Sequence, residues 1–344
     1  VRRLGWLSVL LFAESSPVVA EPVVRYAIEA RLDARRKTLE GHLTLAWRNA
    51  TRRATDELYW HLYLNAFRNA RSTYFKERGE GEARRLEGNW GGCEIESVFL
   101  LLPGGAKVDL SGRLTFVSPD DGNEEDGTVV RVGLPSAVRP GETIHLRVRF
   151  SSRLPLNLDR TGFKGEELFV AQWFPKLGVL EEDGWNCHQA HAFSEYYADF
   201  GSYDVSLRLP AELVVGATGR LDSVSDHRDG TVTYRFRQDE VHDFAWAASP
   251  HFQVHQDRFE HPGLPPVEIN LLLQPEHASQ AERYRVAVKH ALRFFGEWFG
   301  PYPYPTLTVV DPVRESGADG MEYPTLVAAG ADWLAPAAGA EPEA

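Results

Sequence analysis

Residues 23–33 read VVRYAIEARLD, and within them Val24, Tyr26, Ile28, Ala30 and Leu32 alternate with Arg25, Glu29 and Arg31. Successive side chains leave a pleated chain on opposite sides, so a period of two marks a strand with one buried face. Residues 39–47 repeat the pattern with Leu39, Leu43, Leu45 and Trp47 on one side, and the polar link DARRKT (33–38) joins the runs as a hairpin. Further alternating runs fall at 58–64, 144–150, 203–209 and 232–236, and turn signals such as Asp121-Gly122, Pro140-Gly141 and Asp229-Gly230 separate such runs. Residues 23–260 are therefore expected to form a large N-terminal β domain of more than one packed sheet, and the fold class is mainly β.

The pattern changes near His261-Pro262-Gly263. A strand is expected over 268–273, then a long helix over 277–299. In that helix Tyr284, Val288, Ala291, Leu292, Phe295 and Trp298 recur at steps of three and four. Gly300 and Pro301 end it, and Pro-Tyr-Pro-Tyr-Pro (301–305) leads to a second apolar strand over 306–310. Residues 261–344 thus read as the start of an α/β unit.

Composition narrows the functional class. A hydrophobic share of 43% over 344 residues fills sizeable cores. The net charge of −12, without a basic stripe carrying interleaved aromatics, argues against a nucleic-acid partner. The first twenty residues read as an export signal: Arg2 and Arg3, the apolar run LGWLSVLLFA (4–13), then Val18-Val19-Ala20 before a cleavage point at Glu21. Ten apolar residues are too few to span a bilayer, which needs about 20, and no later stretch reads as an integral membrane segment. The expected location is periplasmic or extracellular. Two cysteines, Cys93 and Cys187, suit an exported chain, but nothing in the sequence brings them together.

The informative segment is GADGMEYPTLVAAG (317–330), which contains the only methionine, Met321. It resembles the G-x-M-E-N substrate motif of the gluzincin aminopeptidases, the aminopeptidase N-like zinc family. Other segments resemble a bacterial branch of that family: QWFPK (172–176), GWN (184–186), FGSYDV (200–205), VGATG (215–219) and FFGEWFGPYPYP (294–305), in the same order. The resemblance runs from about residue 23 to 330. It implies a thermolysin-like catalytic domain beginning at 261, and a motif strand at a sheet edge that lines the active site. It further implies that Glu322 holds the free α-amino group of a peptide substrate, that Gly320 lets the substrate backbone approach, that Met321 belongs to the same strand, and that Gln172 faces the cleft. Asp319 and Tyr323 depart from the pattern, which usually has Gly and Asn there.

The family binds zinc through H-E-x-x-H on a helix, with a second Glu one helix later. No H-E pair occurs in this sequence, which ends 22 residues after Glu322. The resemblance therefore implies zinc ligands beyond residue 344, no catalytic or metal-binding residue within this chain, and an inactive front portion of a peptidase. A non-catalytic β-rich binding or scaffolding protein derived from the family is the alternative. His188 and His191 have a spacing some metal sites use but lack a third ligand. DDGNEED (120–126) lacks the ordered ligand positions of a calcium loop and reads as a solvated turn.

Overall fold

A computed structural model describes residues 21–330 apart from 158, 315 and 319. The expected export signal and Asp319 therefore lie outside the described residues. The 24–33 hairpin forms as expected: Val24–Asp33 pairs antiparallel with Thr38–Arg48, with Tyr26 opposite Leu45. Its burial alternates along the whole first strand. Leu39, Leu43 and Leu45 are fully buried, and each contributes about 1.5–3 kcal/mol by leaving water. The hairpin lies at the centre of an eight-stranded sheet in the order Arg220–Asp226, Thr231–Val241, Gly201–Pro210, Val24–Asp33, Thr38–Arg48, Thr143–Arg153, Gly92–Leu101, Lys107–Asp109. Gly201–Pro210 joins it in parallel, a long-range pairing that local periodicity does not reveal.

Two four-stranded sheets and a two-stranded one, Val179–Leu180 with Trp185–Asn186, complete this part among the described residues. One four-stranded sheet runs Val214–Ala217, Trp246–Ser249, Glu167–Val170, Gly162–Lys164; the other runs Lys176–Leu177, Thr55–His61, Val129–Val138, Leu114–Val117. Trp47, Trp60, Trp173 and Trp246 are buried in the core these sheets share. The run at 58–64 does not stay a strand to its end, because the chain leaves the sheet after His61 and turns through a 3-10 helix at Tyr63–Phe67.

A five-stranded sheet follows, in the order Gln253–His261, Leu264–Leu273, Thr306–Val310, Leu326–Ala328, Met321–Tyr323. It opens at Gln253, and His261-Pro262-Gly263 lies at the turn of its first hairpin. The expected helix over 277–299 is a 3-10 turn at Pro275–Gln280 continued by an α-helix at Ala281–Phe299. Pro275 starts that turn at no hydrogen-bond loss, since the first N–H groups of a helix are unpaired anyway. The helix connects Leu264–Leu273 to the parallel strand Thr306–Val310 and packs against the first two strands of this sheet.

Candidate functional site

The Met321–Tyr323 strand closes one end of the five-stranded sheet. On one side Glu322 stands opposite Val327, and the Gly320 N–H donates to the Ala328 carbonyl at 3.0 Å. Its other side has no partner strand among the described residues, so an edge is free to pair with an extended chain. Gly320 has a φ of +70°, which favours glycine, and a Cβ there would meet no atom within 4 Å. The glycine is thus required by its own backbone, and open space lies beside it. Beyond Tyr323 the chain turns back through Pro324 and Thr325, whose Oγ1 accepts a 2.6 Å hydrogen bond from the Gly219 N–H.

The two faces of this hairpin have different fates. Tyr323 is 3% exposed, with its ring centroid 6.1 Å from that of Phe169, and Met321 packs at the same core. That core joins Phe169, Ala171 and Ala247 of the four-stranded sheet to Leu272, Val310 and Leu326 of the five-stranded one. Burial drives the Tyr323 hydroxyl well above its usual pKa, and the hydroxyl has no hydrogen-bond partner among the described residues. Glu322 points to the opposite face and is exposed. Paired residues of neighbouring strands share a face, so Glu322 lies on the side of Val327. Val327 lines an apolar groove of about 670 Å³ between the long helix and the sheet, with Leu292, Phe295, Leu307 and Val309.

Gln172 is placed differently from the sequence expectation. It is 2% exposed and adopts a φ of +55°. Its Nε2 donates to Asp243, and its Oε1 accepts from Lys176 Nζ at 2.9 Å. Lys176 and Asp243 form a buried ion pair at 2.7 Å. Burial lowers the Lys176 pKa, and Asp243 partly restores it. Gly320, Met321 and Glu322 therefore share one edge, whereas the Gln172 amide is engaged at both ends in the interior. Nothing local in the sequence joins Lys176 to Asp243, which meet only through the fold.

The other sequence candidates resolve into ion pairs. His188 Nδ1 lies 2.6 Å from Asp120, and His191 bridges Glu77 at 2.7 Å and Asp120 at 3.1 Å. Burial opposes a charge on His191, but the two carboxylates prevail and raise its pKa. No group of three or more His, Cys, Asp or Glu suited to a metal occurs among the described residues. The acidic run at 120–126 is a turn tied to its neighbours: Asp121 accepts from the Thr73 hydroxyl at 2.9 Å, and Asp126 from the Thr73 N–H at 3.0 Å. Cys93 and Cys187 are both buried free thiols. No helix of the described residues is long and apolar enough to cross a membrane.

Neither a protein-family profile nor a curated protein matches the sequence. Solved structures do match. An M1 zinc metallopeptidase from Deinococcus radiodurans, as a glutamate-to-alanine mutant bound to a Tyr-Ser-Ala substrate, superimposes with a TM-score of 0.55 at 17% identity, covering 86% of this chain and 57% of that one. The non-mutant enzyme gives 0.53 at 16% identity, and an L-arginine-bound two-domain form gives 0.53 at 18%, with the same coverage. The fold of this chain is therefore similar to that of these M1 zinc metallopeptidases over the part that is covered. The chain spans just over half the length of the structures it matches.

Proposed function

We propose that this chain is the substrate-anchoring portion of an exported M1-type zinc aminopeptidase. It comprises an N-terminal β domain, whose end we move from 260 to about 250, and the opening of the catalytic domain. The observation that carries the reading is Glu322, exposed on a free edge strand directly after the left-handed Gly320. An extended peptide pairing with that edge brings its terminal ammonium to the Glu322 carboxylate in a charge-assisted hydrogen bond. Gly320 leaves room for the peptide backbone, and Met321 presents backbone groups between them. Gln172, engaged with Asp243 and Lys176, supports the interior rather than the peptide.

The zinc that this fold family implies does not fit the residues present. Three protein ligands are the minimum for a catalytic zinc, and the described residues offer no such group. The reading accordingly assigns binding and orientation to the described residues. A leader at 1–20 would place the protein in the periplasm or outside the cell.

Titration of the chain with trialanine amide and its N-acetyl form tests the reading. Only the free amine should bind, and Glu322→Gln should abolish the difference. Equal binding of both forms by the unaltered chain would sink it. Metal analysis after dialysis should show less than one zinc per chain; a tightly held stoichiometric zinc would point to His188 and His191.

A further inference from the structure

Next to the free edge lies an arginine already gripping a carboxylate. Arg160 binds Glu195 through both guanidinium nitrogens, Nη1 to Oε2 at 2.7 Å and Nη2 to Oε1 at 3.3 Å. The Arg160 backbone has a φ of +58°, and its N–H donates to the Gly317 carbonyl at 3.1 Å, just before the motif strand. The arginine is the more buried partner of the pair. The Glu195 side chain is 73% exposed, against 31% for Arg160. Glu195 belongs to the segment 187–200, which has no helix or strand. Loops of that length without structure of their own are uncommon and usually functional. A half-exposed ion pair contributes little stability, so exchanging one carboxylate for another is nearly free.

We propose that Arg160 is a carboxylate-binding subsite for the C-terminus of short peptides, and that Glu195 occupies it until a peptide arrives. This rests on the reading of Glu322 as the amine anchor. A peptide anchored at Glu322 and running antiparallel to Met321–Tyr323 heads toward Gly320 and Gly317. Gly317 to Glu322 spans at most about 17 Å of extended backbone, the length of roughly three to five residues. Peptides of that size place their terminal carboxylate at Arg160, where the planar fork takes both oxygens. The subsite thus selects short peptides with a free C-terminus.

The test titrates the 344-residue chain with four tetraalanine probes: free or N-acetylated at one end, acid or amide at the other. The free-amine acid should bind about two- to fivefold tighter than the free-amine amide. Arg160→Gln should bring the acid down to the amide without weakening the amide, and Arg160→Lys should keep part of the preference. Glu195→Gln, which leaves the arginine in place, should tighten the acid alone by a few-fold. Equal binding of acid and amide, or a preference that survives Arg160→Gln, overturns the subsite. Free-amine amide binding that depends on Glu322 while the acid binds no better leaves the amine anchor intact and removes Arg160. An N-acetylated acid that binds as well as the free-amine acid and depends on Arg160 does the reverse. No binding by any probe overturns both.

Discussion

At the scale of single residues, Glu322 and Lys176 represent opposite uses of charge. Glu322 is exposed and has no side-chain hydrogen bond or ion pair among the described residues, so Glu322→Gln should leave the unfolding midpoint unchanged. On the proposed reading, in a version of this chain joined to a zinc motif the same change removes one member of a desolvated charge pair, which costs about 2–5 kcal/mol. The kcat/KM for free-amine peptides should then fall about 30- to 3,000-fold, while N-blocked peptides are unaffected. Equal losses on both substrates would assign Glu322 a structural role. Lys176 is sealed inside with Asp243 and Gln172. Lys176→Met strands a buried carboxylate and should destabilise the protein by about 3–5 kcal/mol in urea denaturation. Adding Asp243→Leu should recover part of that loss, because no unpaired charge then remains.

At the scale of elements, the important contact is between the four-stranded sheet and the five-stranded one. Val214–Ala217 reaches the second sheet at Gly216, where a Cβ would lie 2.9 Å from both Leu272 Cδ2 and Thr308 Cγ2. Glycine is needed here for closeness, since its φ is not in the left-handed range. Gly216→Val should therefore destabilise by about 1–3 kcal/mol through overpacking, read as a lower urea midpoint. An unchanged midpoint would mean that the sheets part readily at this point. The long helix contrasts with this tight contact. Ala281, Leu292 and Gly296 are its buried positions, while Phe295 is 58% and Trp298 66% exposed. The period of 3.6 correctly marks the helix and its apolar side, but not how much of that side the rest of the chain covers.

At the scale of the molecule, the junction between the sheets carries a titrating group. Glu167, 5% exposed, accepts from the Val313 N–H at 2.9 Å and from Gln274 Nε2 across the junction. Burial raises its pKa to about 7. The two donors oppose that rise, and Asp311 and Glu276 add to it. A carboxyl whose folded pKa lies above its unfolded value of 4.5 favours the folded state most below pH 4.5. That contribution declines as pH rises toward 7 and is lost above it, with a total swing of about 3 kcal/mol. The difference in stability between the protein and its Glu167→Gln variant should therefore change across pH 4.5–7 and level off above. A difference that stays flat over this window would place the Glu167 pKa near its ordinary value.

The sequence by itself determined the central hairpin, the long helix, and the residue types at the edge strand. Each is local: alternation of apolar side chains sets a strand face, and steps of three and four set a helix face. The motif around Glu322 was likewise legible because its residues are contiguous. Only the tertiary structure decided that Val24–Asp33 pairs in parallel with Gly201–Pro210, that the second sheet opens at Gln253, and that Gln172 turns inward to Lys176 and Asp243. It also decided that Arg160 meets Glu195 beside the motif strand. Most of these pairings join residues far apart in the chain, where burial of apolar faces selects the sheet partners and the competition between desolvation and Coulomb attraction selects the charged ones. No local periodicity encodes that competition.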